Sequence, residues 1–445
     1  MRVVTIMVID IYSRRKVLLL FFIRFLIQFL IKNLEKVNKF CYNAFCKDYY
    51  HIIWRDLFMN LKIANDNGNS EHDLIIDGKL VQQPNVFAKI MRVPNLDDVN
   101  KEYVLKNIHD NLLVSIEGGL YYIGQRALES GQPCRAIEVG VDNNKVTSDI
   151  VYINTLAHSA AAAIEEAAGK DYDLGALDET ITAHVDMATA LPVSYFNKKN
   201  CQTFSEKFTG KKHHVCVYIG DKEVMVELIY DFVKVIPEGV TASFALKENN
   251  ELFEEYNKQH KDAPLDKADF TENRVLHIAV GEGTTEFPVT TDVHFKPDFI
   301  SGTNNGNGHA IDAVIDDFKE QFGLMKLTRQ EYSDILQDEG HKYHATAVEF
   351  IMPALENQAE EILHKAKQVI QQANNEIDVV CVYGGGSIMM REALEKKLKD
   401  FCDRAMIKLL YMPKKYAVTL EVSGLNVFLN SKVFAALKEA SAANN

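Results

Sequence analysis

His277-Ile278-Ala279-Val280-Gly281-Glu282-Gly283-Thr284-Thr285-Glu286-Phe287-Pro288-Val289 reads as an apolar strand that turns through Gly-x-Gly-Thr-Thr and resumes as a strand. Two glycines let a backbone turn tightly with its N–H groups pointing inward, and such a nest of amides binds anions. The hydroxyls of Thr284 and Thr285 can add hydrogen bonds to phosphate oxygens, and Glu282 and Glu286 flank the turn where they could face a metal ion or water. No Gly-Lys-Ser/Thr follows and no helix pattern opens, so this is a hairpin phosphate loop and not a Walker loop. Taken alone, a Gly-x-Gly-Thr-Thr turn is more often a plain hairpin. Its weight comes from related turns on either side of it.

Upstream, Leu61 to Ala64 reads as a short strand, followed by Asp66-Asn67-Gly68-Asn69-Ser70 and a second strand at Leu74 to Ile76. Asp77-Gly78 then gives a hairpin turn. The logic repeats: Asp66 for Mg2+ or its waters, Gly68 for close approach, and the small polar Asn67, Asn69 and Ser70 for phosphate. A simple Asn/Gly-rich turn is the plain alternative. Downstream, the apolar strand Ile377 to Val382 enters Tyr383-Gly384-Gly385-Gly386-Ser387 and then a helix from about Ile388 to Phe401. Glycine-rich strand–helix turns at the C-terminal end of a sheet are where nucleotides lie in α/β folds. A further loop, Ser301 to His309, contains Gly306 and opens a helix over Ala310 to Phe322. That loop suits phosphate or ribose or is a surface loop. Glu238, at the bend after Val235-Ile236-Pro237, is either a solvated turn carboxylate or aimed into a cleft, with a helix expected over Val240 to Leu246.

Other elements read as scaffold. Thr147 to Ala168 is an alanine-rich helix with Gly169 as its C-cap. Gly124 to Leu128 reads as a loop, Ile181 to Leu191 as a strand, and Val215 to Ile219 with Val224 to Ile229 as a hairpin around Gly220-Asp221. A long helix is expected from Pro353 to Gln372, with an apolar stripe at helical spacing. Gly424, within Val422 to Asn426, permits close approach of another helix, and Lys432 to Ala443 reads as a helix. His341-x-x-His344 has no third ligand in the pattern, which argues against zinc.

The chain has 445 residues, a formal net charge of −13 and seven cysteines without a Cys-x-x-Cys pair. An acidic body disfavours a direct nonspecific grip on nucleic acid, and unpaired cysteines suit a reducing cytoplasm. Residues 1–58 stand apart: they hold 10 Lys/Arg against 4 Asp/Glu, and Val17 to Ile31 is strongly apolar. That run is short for a membrane span and carries Arg24 and Gln28. It reads as a membrane-associating segment, as a helical arm, or as an extension outside the folded unit. The third reading is favoured because Met59 directly precedes the first strand that makes sense in the fold, and no stable membrane partner is expected.

As an ordered set, these stretches resemble the actin/hexokinase/heat-shock chaperone superfamily. There the order is first phosphate loop, connecting segment, second phosphate loop, adenosine loop and second connecting segment. The matching positions are Asp66 to Ser70, Ile236 to Ala245, Gly281 to Glu286, Gly384 to Ser387 and Val418 to Val427. Within that superfamily the chain looks most like the ParM-type plasmid-segregation actins. The resemblance implies an α/β, two-lobed actin-like fold with the nucleotide in the interlobe cleft. Residues 59–236 would form lobe I, 237–410 lobe II, and 411–445 would return to lobe I. By the same resemblance ATP or GTP would bind with Mg2+, organised by Asp66 and by Glu282. Asn67, Gly68, Asn69 and Ser70 would hold terminal phosphates, with Gly281, Glu282, Gly283, Thr284 and Thr285 opposite. Gly384, Gly385 and Gly386 would face the nucleoside, with Ser387 and Gly306 counted among the cofactor-binding residues, and Glu238 would orient the attacking water, with Asp66 as the second catalytic residue. The implied activity is nucleotide hydrolysis coupled to assembly of helical filaments. Plasmid DNA would be reached only through a ParR-type DNA-binding adaptor. One departure stands out: the second loop usually begins with an Asp where this chain has Ala279, so Glu282 or Glu286 would have to substitute or hydrolysis would be slow. A small-molecule kinase of the same superfamily, with Asp186 or Asp292 as base, and a chaperone-like ATPase are the other readings. The latter lacks room for a substrate domain after Ser431.

Overall fold

The computed structural model describes residues 59–137, 145–299, 301–303 and 306–443. The basic and apolar stretch 1–58, with its three readings, lies outside the described residues, as do Asn304 and Asn305 of the Asn/Gly loop. Residues Asn60–Asn445 form one compact unit, and within it the strands make two sheets.

The first sheet has ten strands: β1 (Met59–Asn67), β2 (Glu71–Ile76), β3 (Lys79–Pro84), β4 (Val86–Ile90), β5 (Leu113–Ile116), β6 (Gly119–Ile123), β7 (Arg135–Ala136), β8 (Thr180–Leu191), β9 (Lys212–Ile219) and β10 (Lys222–Pro237). Their order is β3-β2-β1-β8-β10-β9-β5-β6-β4-β7. Tight hairpins account for most neighbours. Asp77-Gly78 and Glu117-Gly118 both sit at positive φ, as two-residue hairpin turns require, while β8 and β10 run parallel. The second sheet holds β11 (Arg274–Val280), β12 (Thr285–Glu286), β13 (Val289–Thr291), β14 (His294–Phe295), β15 (Gly302–Thr303), β16 (Val379–Tyr383) and β17 (Lys408–Tyr411). There β11 pairs antiparallel with β12 and β13, and β16 joins it in parallel, followed by β17.

Eight helices matter for the site: α1 (Asp149–Ala168), α2 (Thr241–Glu248), α3 (Asn307–Phe322), α4 (Arg329–Gln337), α5 (His344–Gln372), α6 (Gly385–Ala405), α7 (Leu420–Leu429) and α8 (Lys432–Ala443). The second sheet is covered on both faces. Leu276, Ile278, Val280, Val380 and Val382 pack against α3, α5 and α6. Val275, Val379, Cys381 and Tyr383 pack the other way, against α2 and the helix Asn250–Gln259. Two-sided burial is why β11 and β16 read as near-continuous apolar runs. On the first sheet, α7 and α8 bring Val422, Leu425, Phe428 and Phe434 onto Ala64, Ala188 and Ile236.

Three sequence expectations are corrected. Helix α5 begins at His344, nine residues before Pro353, which lies inside it. Pro is favoured in a first helical turn, which drew the expected start to the wrong place. Gly124–Glu129 is a short helix and not a loop. Val224 to Ile229 and Val235 to Pro237 are one strand, β10, whose register shifts between Tyr230 and Phe232. The extra residue reverses the in/out alternation there, so a single strand reads as two.

Candidate functional site

Each of the three glycine turns is shaped by what lies beneath it. The β1–β2 turn rests on a buried amide network. The Asn67 amide Nδ2 donates to Asn65 Oδ1 at 2.9 Å and Asn85 Nδ2 donates to the Gly68 carbonyl at 2.7 Å. The Asn154 side chain on α1 in turn donates to Asn85 at 2.8 Å. A side chain at Gly68 would meet the Glu71 carbonyl at 2.7 Å, so only glycine lets the turn fold this tightly. The β11–β12 turn is closed by the Gly281 N–H donating to the Thr284 carbonyl at 2.9 Å. The first amides of α3 then hold it: Asn307 N donates to Gly281 O at 3.2 Å and Gly308 N to Glu282 O at 2.9 Å. The third turn opens α6. Gly384 has φ 93° and lies against the Val280 carbonyl, whereas a side chain at Gly385 would meet only open space.

All three turns open on one cleft of about 1100 Å³. Asp66, Gly68, Asn69 and Ser70 line it from the first sheet, and Gly281, Glu282, Gly283 and Thr284 from the second. Gly384, Gly385 and Gly386 line it at the head of α6, and Glu238 lies between the sheets' contributions. The Ser70 hydroxyl hydrogen-bonds Glu282, so the two hairpin loops touch across the opening. Four of the expected residues sit behind the wall. Asn67 is buried in the amide network and Thr285 is buried in β12. The Ser387 hydroxyl donates to the Gly384 carbonyl at 2.7 Å. Gly306 packs so closely on Glu282 that a side chain there would lie 2.1 Å from its carbonyl oxygen. The α3 amides expected to face a ligand are thus engaged by the second loop. His341 and His344 are likewise occupied: His341 Nδ1 accepts from the Tyr343 N–H at 3.2 Å, and His344 Nδ1 lies 3.1 Å from the Ile335 carbonyl.

The floor of the cleft is a group of acids around one buried cation. Lys145 Nζ donates to Glu238 Oε1 at 2.5 Å, with both side chains nearly buried. Burial alone would lower the lysine pKa, but Glu238 and Asp66 more than offset it and hold it charged. Asp66 is pushed up to about 6 by burial, against Lys145 and with Glu238 and Glu71 adding to the rise. Glu286 is pushed up to about 8 by burial and by Glu238, with Lys145 opposing. Glu421 on α7 accepts from the Gly239 N–H and from Thr241 Oγ1, both at 3.0 Å. Burial, then Asp66 and Glu238, raise it well above the usual carboxylate range. Four carboxylates facing one ammonium make a site short of positive charge. Among the described residues no three His, Cys, Asp or Glu groups form a direct cage for a metal ion. Mg2+ keeps several waters and binds through one or two carboxylates plus phosphate oxygens, and the carboxylates of this floor are groups that could hold it in that way. Glu286 Oε2 is buried without a hydrogen-bond partner, which also fits a cation-supplying ligand.

Lys145 and Glu421 were not legible as site residues. Lys145 belongs to no glycine turn, and nothing local in its sequence marks it. Glu421 lies one turn before Gly424, in a segment noted only for close packing. There the fit is tight: a side chain at Gly424 would lie 1.8 Å from the Thr241 carbonyl. Helices α2 and α7 therefore cross in direct backbone contact at the base of the cleft, and the Tyr383 hydroxyl donates to the Gly239 carbonyl at 2.9 Å beside them.

Residues 61–240 match the N-terminal domain of actin-like proteins, and residues 277–396 match the C-terminal domain of the MreB-like archaeal actin homologues. No curated protein matches the chain by sequence. Among solved structures, the actin-like protein Alp7A is 19% identical with a TM-score of 0.62, covering 86% of this chain and 100% of its own. The archaeal actin homologue Ta0583, crystallised with ADP, is 15% identical with a TM-score of 0.56, covering 83% and 100%. The Bacillus thuringiensis ParM crystallised with AMPPNP is 16% identical with a TM-score of 0.51, covering 83% and 98%. At these identities the likeness is one of fold, and it is the two-lobed actin-like fold.

Proposed function

The chain carries the two-lobed actin-like fold with an actin-like domain match in each lobe, and from that premise we propose that it is a nucleotide-dependent, filament-forming nucleoside triphosphatase of the plasmid-segregation type. The observation that carries this reading is the meeting of three glycine turns, from both sheets, on one cleft floored by acids and a buried lysine. A divalent cation is what such a floor lacks, and a triphosphate is the ligand that would bring one into reach of the three turns.

In this reading ATP or GTP binds with its phosphates between the turns at Gly68 to Ser70 and at Gly281 to Thr284. The nucleoside lies toward Gly384 to Gly386. Asp66 and a glutamate of the second loop would hold Mg2+ through water, and the ion would supply charge neutralisation for the transferring phosphoryl group. Phosphoryl transfer asks little covalent chemistry of a protein, so positioning and charge neutralisation carry the rate. Lys145 faces the terminal phosphate, and Glu238, released from the ammonium, orients the attacking water. Closure of the two lobes on the nucleotide favours a head-to-tail contact between copies, and contacts of that kind build open helical filaments. An acidic surface reaches DNA through a basic adaptor of the ParR type, in the cytoplasm. No helix among the described residues is long and apolar enough to cross a membrane.

The test mixes the protein with Mg2+ and ATP or GTP and follows right-angle light scattering together with phosphate release, with electron microscopy of the pellet. A nucleotide-triggered rise above a critical concentration, with filaments in the pellet, is the expected result. Nucleotide binding without assembly over a wide range of concentration and salt would remove the filament reading. A screen of phosphoryl acceptors would then follow.

A further inference from the structure

Strand β11 ends at the cleft with Ala279, a methyl group where the adjoining floor is acidic. In the β11–β12 ladder Ala279 pairs directly with Glu286. Residues directly opposite in an antiparallel pair put their side chains on the same face, about 5 Å apart at Cβ. The long glutamate side chain therefore extends beside the short alanine, on the face that lines the cleft. The other neighbour of Glu286 is also small. Glu286 pairs with Gly302 on β15, and a side chain at Gly302 would lie 2.4 Å from Glu286 Oε2. A methyl group on one side and a bare backbone on the other leave room for one carboxylate.

That carboxylate is a costly thing to build. Glu286 is 3% exposed and its Oε2 has no hydrogen-bond partner. Its side chain hydrogen-bonds Thr284, but a buried carboxylate with its second oxygen unpaired is unfavourable unless a cation or a further donor satisfies it. The nearest protein cation, Lys145, is already bound to Glu238 at 2.5 Å. Glu282, the other acid of this loop, is engaged differently: it hydrogen-bonds Ser70 and lies toward Arg329. Of the two glutamates, only Glu286 combines burial, an unpartnered oxygen and a place on the cleft wall opposite Ala279.

We propose that Glu286, reaching across the ladder into the space left by Ala279 and Gly302, anchors the hydrated divalent cation on the second-lobe side of the cleft. The inference rests on the nucleotide-binding reading above and names the residue that completes it. Asp66 then serves the cation from the first lobe and Glu286 from the second, and Glu282 serves as a clasp between the two loops.

The experiment titrates Mn2+, read by electron paramagnetic resonance, into the full chain saturated with ADP, and in parallel measures ADP affinity in EDTA. Glu286→Gln keeps the shape and removes the charge. Gly302→Ala leaves Glu286 unsubstituted but displaces its carboxylate, because the new Cβ would lie 2.4 Å from Oε2. Both should weaken Mn2+ binding about tenfold or more, the range found when a partner of a metal site is removed, with ADP affinity in EDTA unchanged. Thermal unfolding of each variant confirms that it is folded. An Mn2+ affinity within twofold of the parent in Glu286→Gln would overturn the proposal, and so would a loss confined to Glu282→Gln. A parent protein that binds ADP without recruiting Mn2+ would overturn it as well. A parent that binds no nucleotide would instead remove the reading on which it rests.

Discussion

At the scale of single residues, the cleft is governed by where charge is buried without compensation. Lys145 is the only protein cation described among the floor acids, and it already holds Glu238. Lys145→Met would leave Glu238 and Asp66 without a counter-charge. Breaking a buried pair from one side costs about 3 kcal/mol or more, and losing a charge aimed at the transferring group slows such steps about a hundredfold. Chemical denaturation and single-turnover phosphate release read the two effects separately. Glu238→Gln keeps an acceptor for Lys145 and leaves Asp66 as its counter-charge, so it should cost less stability than Lys145→Met. Phosphate release should fall about a hundredfold, and filaments should persist longer by pelleting. A pH prediction follows from the same crowding. Asp73 faces Asp66 across β1 and β2 and is pushed up to about 8, first by burial and then by Asp66. An acid whose folded pKa is raised contributes stability that is full below its unfolded value and lost as pH rises through the folded one. Glu286, also near 8, acts in the same direction. His72 and His277 are pulled down to about 3, chiefly by burial. Their contribution is full above their unfolded value of 6.5 and is lost only as pH falls below it. Between about pH 7.5 and pH 8.5 the histidines are nearly all neutral in both states and the acids decide. The metal-free chain should therefore lose a few degrees of Tm over that window, and Asp73→Asn should flatten the fall. A Tm that rises across the same window would contradict the burial assigned to these carboxylates.

At the scale of elements, the turns were legible in the sequence because their chemistry is local. Asp77-Gly78 and Gly384 need positive φ and Gly68 leaves no room for a side chain, and those places can be read without knowing what packs nearby. The Gly424 crossing was legible for the same reason. What escaped depends on tertiary contacts. The bulge near Asp231 hides the length of β10, and Pro353 lies inside α5 on its exposed side. Lys145 reaches the site only through its tertiary contact with Glu238, which follows β10. Asn67, Thr285 and Ser387 have the right chemistry, yet strand alternation and capping turn them behind the wall. The crossing of α2 and α7 offers the clearest test at this scale. Gly424→Val would set a branched side chain against the Thr241 carbonyl, where even a Cβ has only 1.8 Å. Overpacking of this kind costs about 3 kcal/mol, and it should also loosen the acceptor Glu421 from Gly239 and Thr241. Ser423→Ala, one residue away and only half-buried, should stay within about 0.5 kcal/mol of the parent. Equal losses in the two variants by denaturant titration would mean that the helix crossing is not the sensitive point.

At the scale of the whole molecule, the two lobes share a cleft whose floor crowds carboxylates that burial pushes toward the protonated form, and a cation arriving with phosphates would let them ionise. Nucleotide binding should therefore draw the lobes together, and in X-ray scattering of dilute, unassembled protein the radius of gyration should fall when Mg2+ and nucleotide are added together. Assembly adds a second charge problem. The chain carries a formal −13, and the residues after position 58 are more acidic still, because the first 58 are basic. Copies that stack head to tail bring like charges together, and a net charge far from zero opposes association. Raising monovalent salt shortens the screening length to about 10 Å at 0.1 M, so repulsion between neighbours weakens. The critical concentration for nucleotide-driven scattering should then fall as salt rises from about 0.02 M to about 0.2 M, with the rate of phosphate release by unassembled protein little changed. If the contact between copies were instead made by opposed charges, the same screening would raise the critical concentration. Salt dependence thus separates an apolar, shape-matched filament contact between acidic subunits from one held by ion pairs. Net charge alone predicts the first.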